Sequence, residues 1–325
     1  MRILVTGSEG SLMQAVIPGL LKNGHEVIGV DYNTPEPRTE YKLIAIDLRN
    51  YPMVLNLFRT YDFDVVIQGA AQIYGVAGFN KQPADILSGD IAVHSNIMNA
   101  AVLTTKPRIV YISSSMVYEQ CTRSWAVKEN EPEKYPAPKT GYGLSKYVGE
   151  RLTRAYQEQY GIKYTIWRPF NIITPYELKK KELGFSHVFV DFMHNIIKEK
   201  KNPLPIIGNG EQVRCFTWIY DVSQAIIDYS FLDKSINQSF NLGNQEPVTM
   251  KELARLIYEK VNDREGIINP PELKFDTTEV YDLDVFYRVP DVDKMIEFYN
   301  WEAKQKLHES IDKCIDAFYE REINV

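Results

Sequence analysis

Short apolar runs alternate with helix-forming stretches through the first half of the chain. The apolar runs are rich in β-branched residues and cover positions 2–7, 26–31, 42–47, 64–70, 108–114 and 163–170. Runs that are apolar almost throughout are typical of parallel strands covered by helices on both faces. The intervening stretches predict helices near 11–24, 50–61, 82–103 and 141–161. This alternation predicts an α/β fold with a doubly wound parallel sheet and right-handed crossovers.

The pattern changes after about residue 172, where polar loops replace the regular alternation. We expect residues 1–172 to form the first domain and residues 173–325 to form a smaller, loop-rich substrate lobe. The two are predicted to interleave, because a helix and a strand near 215–245 have the pattern of the first domain. Near the end of the chain, apolar residues at helical spacing predict a packed amphipathic helix. These residues are Leu307, Ile311, Cys314, Ile315 and Phe318.

Composition and charge narrow the class of partner and the compartment. The 325 residues carry a formal net charge of -6, so no overall basic field would attract nucleic acid. The three cysteines are far apart and have neither zinc-site nor disulfide-framework spacing, which favours a reducing compartment. The first residues form a predicted strand rather than a secretory signal, and no apolar run approaches the ~20 residues of a membrane span. We therefore expect a cytoplasmic protein without a nucleic-acid or membrane partner.

A glycine-rich turn links the first predicted strand to the first predicted helix. Gly7 permits the tight turn, and Gly10 lets the backbone approach a pyrophosphate at the helix N-terminus, where Ser11 and Leu12 follow. Asp31 ends the second predicted strand, where its carboxylate can accept hydrogen bonds from ribose hydroxyls and repel a 2′-phosphate. Together these features predict a Rossmann-type sheet that binds NAD.

Other positions near the predicted cofactor site are less decisive. Met13 occupies the third position of the glycine pattern, where a small residue normally allows close packing of helix and strand. We therefore expect Met13 to shift this helix and to weaken cofactor binding. Asp47-Leu48, after the third strand, fits either an adenine contact or the N-cap of the next helix. Ala70-Ala71, after the fourth strand, is included among the predicted cofactor contacts.

Tyr142 and Lys146 are the predicted catalytic pair. Positions i and i+4 share one helical face, so the two side chains can converge. A neighbouring cation stabilises phenolate and lowers a phenol pKa, which would make Tyr142 a general base or acid. Ser114, at the end of the fifth strand, lies at the carboxyl edge of the predicted sheet, where such folds bind ligands.

In this order, the motifs resemble those of extended short-chain dehydrogenases/reductases, in particular the NAD-dependent epimerase/dehydratase family. The resemblance implies a nucleotide-sugar substrate, with Ser114, Tyr142 and Lys146 catalytic and Tyr142 and Lys146 also contacting NAD. It implies that the segment 168–171, which ends in Asn171, touches the substrate. It also implies that Arg214 and Arg288 hold the diphosphate, as guanidinium forks can. A homodimer formed through the helices near 82–103 and 141–161 is likewise implied.

Met116 narrows the reaction, because similar enzymes that dehydrate, decarboxylate or 3,5-epimerise the sugar carry an additional acid/base beside the catalytic serine. Methionine cannot transfer a proton. The interpretation is a nucleotide-sugar 4-epimerase that acts through a 4-keto sugar. The alternatives are a 4-keto reductase or 4-dehydrogenase, and a non-catalytic NAD-binding protein. The nucleotide (UDP, GDP, CDP or dTDP) and the sugar stay open.

Overall fold

This computed structural model describes residues 1–34, 38–72, 78, 81–121, 125–177, 179, 186–277 and 285–323. Within these residues, the main sheet has seven strands, all parallel. They are β1 (Arg2–Thr6), β2 (Glu26–Asp31), β3 (Lys42–Ala45), β4 (Val65–Gln68), β5 (Arg108–Ile112), β6 (Tyr164–Pro169) and β11 (Gln238–Leu242). Their order across the sheet is β11-β6-β5-β4-β1-β2-β3. The predicted doubly wound α/β fold is confirmed.

Helices cover both faces of this sheet, as the continuous apolar strands require. They are α1 (Ser11–Lys22), α2 (Tyr51–Thr60), α3 (Pro83–Val102), α4 (Gly141–Tyr160), α6 (Ile219–Tyr229) and α8 (Asp293–Tyr299), with short 3-10 helices at Ser115–Tyr118 and Asp233–Ser235. One buried apolar cluster joins the sheet to α1, α6 and α8, and a second joins it to α2, α3 and α4. Alternate residues of each strand therefore supply two separate cores.

Outside the main sheet, the described residues form three small sheets and a separate apolar core, which together we call the second lobe. Its strands are β7 (Ile172–Ile173), β8 (Leu204–Ile206), β9 (Val213–Cys215), β10 (Thr217–Trp218), β12 (Pro247–Thr249), β13 (Phe275–Thr277) and β14 (Tyr287–Arg288). Its helices are α5 (Val188–Ile197), α7 (Met250–Glu265) and α9 (Leu307–Ile323), which share a third apolar cluster. Because β11 pairs with β6 and α6 packs on the main sheet, the chain returns to the first domain within this half.

The two central strands β1 and β4 are neighbours, and the chain continues from them toward opposite edges of the sheet. Open α/β sheets bind ligands in the crevice at such a switch point, beyond the carboxyl ends of the strands. Gly7 follows β1 and Ala70 follows β4, so the predicted glycine turn lies at this crevice. Within the described residues, the structure contains no helix long and apolar enough to span a membrane.

Candidate active site

The glycine turn is tightly constrained. Gly7 has a φ of +68°, and a Cβ at this position would lie 2.8 Å from the Cα of Ala70. The Gly7 amide donates to the Val30 carbonyl at 2.8 Å, and the Gly10 amide donates to the Gly7 carbonyl at 3.0 Å. Only glycine satisfies both the backbone conformation and the spacing at position 7. The turn thus brings main chain to the mouth of the crevice, with Ala70 and Ala71 across from it.

The start of α1 fits a phosphate group. Ser11 and Leu12 lie in its first turn, and Gly10 at the N-cap has no side chain to occupy the first amides. No described side chain caps this N-terminus, which leaves its amides and the positive end of the helix dipole for an anion. The residues at this turn therefore fit the pyrophosphate of a dinucleotide.

Met13 is accommodated in the core despite its size. Its side chain is 2% exposed and lies in the core between α1 and the sheet. A Cβ at Gly69 would lie 3.0 Å from both Cγ and Sδ of Met13. Gly69, which has no side chain, therefore makes room for Met13. In this contact between α1 and the sheet, the small residue follows strand β4, and the large one is on the helix.

The carboxyl end of β2 holds the predicted ribose ligand. Asp31 accepts hydrogen bonds from the Glu9 amide (Oδ2, 3.0 Å) and the Asn33 amide (Oδ1, 3.2 Å), and its side chain is partly exposed. Asp47 is paired with Arg49 at 2.7 Å, and hydrogen bonds from Arg49 lower the pKa of Asp47. Asp47 is not the N-cap of α2, because Asn50 accepts from the Met53 amide instead. Leu48 is buried.

Ser114 and Tyr142 lie together at the carboxyl edge of β5. The Tyr142 hydroxyl is hydrogen-bonded to Ser114, whose Oγ also accepts from the Met116 amide at 3.2 Å. Burial raises the pKa of Tyr142 to about 12, although Ser114 and Arg288 act to lower it. The prediction that Lys146 brings this pKa toward neutrality is therefore wrong, since desolvation of the phenolate dominates.

Lys146 lies one helical turn beyond Tyr142 and is 3% exposed. Its Nζ donates to the Ile112 carbonyl at 2.9 Å and lies 5.8 Å from the centre of the Tyr142 ring. Burial lowers the pKa of Lys146, whereas Asp90 and Glu150 act to raise it. The ammonium group is thus fixed beneath the tyrosine, at the end of β5, rather than solvated on the helix surface.

The second lobe brings two arginines toward this edge. Arg214 on β9 and Arg288 on β14 are register partners, so they project from the same face of their small sheet. Arg288 donates to Asn171 Oδ1 at 3.0 Å and contacts the Met116 sulfur. Arg214 donates to the Val213 carbonyl at 2.9 Å. The structure therefore brings Arg288 and Asn171 together with Met116, near Ser114 and Tyr142.

Comparison with known proteins assigns these motifs to a family. The model of the NAD-dependent epimerase/dehydratase family matches residues 3–243, which include the glycine turn, Ser114, Tyr142 and Lys146. The chain belongs to this family. It is therefore an NAD-dependent enzyme of the extended short-chain dehydrogenase/reductase type, as the resemblance implied.

Relatives cover nearly the whole chain. A Methanocaldococcus jannaschii protein provisionally named UDP-glucose 4-epimerase is 29% identical and covers 97% of each chain. A UDP-N-acetyl-alpha-D-glucosaminuronate decarboxylase from Bacillus cytotoxicus is 25% identical, covering 99% of this chain and 98% of its own. The crystal structure of Thermotoga maritima UDP-glucose 4-epimerase with UDP-glucose has a TM-score of 0.84 at 23% identity, with 99% of each chain covered. The chain therefore has the same fold as this crystal structure over nearly its whole length.

Arg168, at the start of the 168–171 segment, is a structural residue, whereas Asn171 at the end of the segment is partly exposed. Arg168 is fully buried and bonds Glu150 through two nitrogens, at 2.8 and 2.6 Å. Glu150 also accepts from Ser113 Oγ at 2.6 Å. This buried pair fixes α4, which carries Tyr142 and Lys146, against β5 and β6.

Glu119 also positions α4, and the sequence did not reveal it. Its buried carboxylate accepts from the Lys139 amide at 2.7 Å and from the Thr140 hydroxyl at 2.6 Å. Thr140 in turn caps α4 by accepting from the Gly143 amide. Thr140 could have been recognised from the sequence as an N-cap, because it directly precedes the predicted helix. Glu119 could not, because it lies twenty-one residues earlier in the chain.

Asp90 is a second residue that the sequence did not single out. Its buried carboxylate accepts from the Gln72 amide and from Ser145 Oγ, both at 3.0 Å. Burial raises the pKa of Asp90, whereas Lys146 acts to lower it. Asp90 thereby links the segment after β4 to α4 and places a carboxylate close to Lys146.

The histidines and cysteines do not form a metal site among the described residues. His94 is buried against Tyr111, with its Nε2 2.9 Å from Thr153 Oγ1, and burial lowers the pKa of His94 to about 3. His187 is half-exposed and bonds Glu177. The three free cysteines are buried. His94 and the cysteines are therefore packed within the fold rather than exposed to solvent.

Proposed function

We propose that this enzyme is a nucleotide-sugar 4-epimerase. The observation that carries the proposal is the hydrogen-bonded pair of Ser114 and Tyr142, with Lys146 one turn away, at the carboxyl edge that also holds the glycine turn. When bound there, NAD⁺ supplies a hydride acceptor that can return the hydride to the oxidised carbon. The remaining chemistry is the movement of a proton and the orientation of the sugar, and both fall to residues of this chain.

Tyr142 is the proposed acid/base. With its pKa at about 12, Tyr142 is protonated at neutral pH and is ready to donate a proton to a 4-keto oxygen. To remove a proton from the C4 hydroxyl, Tyr142 must act as the phenolate, and Ser114 and Arg288 are the groups that favour this charged form. Ser114 can hydrogen-bond the same sugar oxygen. It would thereby hold this oxygen in place while Tyr142 exchanges a proton with it.

Arg214 and Arg288 are the proposed diphosphate ligands, and Asn171, which bonds Arg288, is a further proposed substrate contact. The two arginines are buried, 7% and 8% exposed, and lie on adjacent strands facing the same side. Guanidinium groups remain charged when buried and form bidentate contacts with phosphate oxygens. A nucleotide-linked sugar is the substrate class to which two such cations are suited, and the named relatives act on UDP-linked sugars.

Met116 argues against the other reactions of this family. Its sulfur contacts Arg288, and neither group transfers a proton at neutral pH, because arginine remains protonated. Ser115, beside it, is 2% exposed and directs no acid toward the crevice. Dehydration or decarboxylation would require an additional acid or base at this place. A 4-keto sugar formed here is therefore expected to be reduced again rather than altered further.

The reaction is tested by incubating the purified enzyme with UDP-, GDP-, CDP- and dTDP-linked sugars and NAD⁺. We expect one substrate to be converted to its C4 epimer, resolved by NMR, without stoichiometric absorbance change at 340 nm. Steady accumulation of NADH, or its consumption with a 4-keto sugar, would show a dehydrogenase or reductase instead. Release of CO₂ or of a 4-keto-6-deoxy sugar would contradict the role given to Met116.

A homodimer is part of the proposal. α3 and α4 pack side by side on one face of the main sheet, and Tyr156 of α4 donates to Asn99 of α3 at 2.5 Å. We expect the outer faces of these helices to pair with those of a second copy in a four-helix interface. Multi-angle light scattering should give twice the 37.5 kDa chain mass at micromolar concentration. A monomer mass under these conditions would count against the interface.

A further inference from the structure

An ion-paired cluster lies beside the carboxyl end of β2. We call it the Glu9 cluster, and it consists of Glu9, Gln14, Arg38 and Tyr41. Arg38 Nη2 lies 2.5 Å from Glu9 Oε2, and the Tyr41 hydroxyl donates to Glu9 Oε1 at 2.8 Å. Gln14 Nε2 also reaches Oε1, at 3.4 Å. The Glu9 carboxylate therefore has partners on three sides, and its side chain is only 10% exposed.

The Glu9 cluster borders the place where the adenosine ribose of NAD binds in such folds. Glu9 lies within the glycine turn, between Gly7 and Gly10, and its amide donates to Asp31 Oδ2 at 3.0 Å. The ribose hydroxyls are bound by the acidic residue that ends the second strand, which is Asp31 here. Any group added to the 2′-hydroxyl would therefore meet Asp31 and the Glu9 cluster together.

The charges of these residues oppose a 2′-phosphate. Arg38 carries the planar guanidinium group that suits a phosphate, but its Nη2 is ion-paired with Glu9. Asp31 and Glu9 together bring two negative charges against the single positive charge of Arg38. A second arginine nearby, Arg49, is neutralised in the same way by Asp47. The site thus contains cations that are suited to phosphate and holds them in ion pairs.

We propose that Glu9 is a cofactor-specificity residue in addition to Asp31, and that Arg38 is a latent 2′-phosphate ligand. In this arrangement NAD is preferred for two reasons. Asp31 repels the phosphate directly, and Glu9 withholds the arginine that would bind it. Removal of the Glu9 charge releases Arg38 while the backbone of the glycine turn keeps its hydrogen bond to Asp31.

The test is the ratio of the dissociation constants for NAD⁺ and NADP⁺, measured by titration calorimetry on the intact protein. We expect Glu9→Gln to shift this ratio toward NADP⁺ by about 10-fold or more, since a hydrogen bond to a charged group contributes about that factor. The shift should disappear in Glu9→Gln/Arg38→Gln, because the double variant has no arginine to release. Glutamine keeps the length of the glutamate side chain, so the Gln14 and Tyr41 contacts have a substitute.

Glu26→Gln is the matched control. Glu26 is also an ion-paired glutamate, because it pairs with Arg2. It begins β2, at the opposite end of this strand from Asp31. Its removal should leave the ratio unchanged. An unchanged ratio in Glu9→Gln would overturn the proposal, and so would an equal shift in the variant without Arg38. If Glu9→Gln bound neither NAD⁺ nor NADP⁺, the proposal would also fail, because Glu9 would then be needed for cofactor binding in general rather than for cofactor preference. None of these measurements requires turnover, so a failed 4-epimerase assignment does not affect them.

Discussion

Tyr142→Phe is expected to lower kcat by about 10²–10⁴-fold, which is the range for loss of a positioned general acid/base. The ring is 7% exposed and would keep its packing, so the variant loses the hydroxyl that bonds Ser114 and little else. The measurement is the initial rate of sugar interconversion, with NAD⁺ binding followed separately by calorimetry. Because phenolate increases as pH rises toward the tyrosine pKa, the wild-type rate should rise with pH. That rise should be absent in the variant.

Tyr147→Phe is the matched control for this experiment. Tyr147 lies on the same helix, and its half-buried ring packs against the cluster of Val117, Tyr118 and Phe170. We expect it to retain nearly full rate, because its hydroxyl has no part in the proposed chemistry. Substantial activity in Tyr142→Phe would assign the proton transfer to another group. An equal loss in both variants would indicate that disturbance of α4, rather than loss of an acid/base, is responsible.

Glu150→Gln is expected to lower the free energy of unfolding by about 3–5 kcal/mol, the range for breaking a buried ion pair on one side. Glu150 and Arg168 are 1% and 0% exposed, so the variant leaves the guanidinium uncompensated in the core. Such a loss is a large part of the ~5–15 kcal/mol that holds a typical domain. Chemical denaturation of the wild type and the variant at pH 7 measures it.

The pH dependence of the same pair has a definite sign. Burial alone would raise the pKa of Glu150, but Arg168 outweighs it and the pKa is held below its usual value. A depressed carboxyl pKa contributes stability above the unfolded-state value, and this stability is lost as the pH falls through the folded pKa. The difference between wild type and Glu150→Gln should therefore shrink in acid.

Glu133→Gln provides the comparison for Glu150→Gln. Arg154 bonds both Glu150 and Glu133, but Glu133 is 51% exposed. Exposed pairs contribute about 0–1 kcal/mol, so its removal should cost no more than that. If the two variants were equally stable, the buried pair would not be the element that fixes α4.

The sequence alone was sufficient for the features that local patterns encode. Nearly continuous apolar strands and amphipathic helices were enough to predict the α/β alternation, because burial on both faces favours apolar residues at most positions of a strand. The glycine turn was readable since its backbone conformation and close approach exclude other residues at Gly7. The spacing of Tyr142 and Lys146 was readable because a helix places every fourth residue on one face.

The tertiary structure decided what depends on contacts between distant segments. Gly69 accommodates Met13, Glu119 holds the cap of α4, and Arg288 reaches Met116 across 172 positions of the chain. It also decided the sign of the Tyr142 pKa shift, because desolvation depends on everything packed around the hydroxyl and not on Lys146 alone. Residue type and spacing determine local geometry. The burial of a site and the charges around it depend instead on distant segments, which only the folded chain brings together.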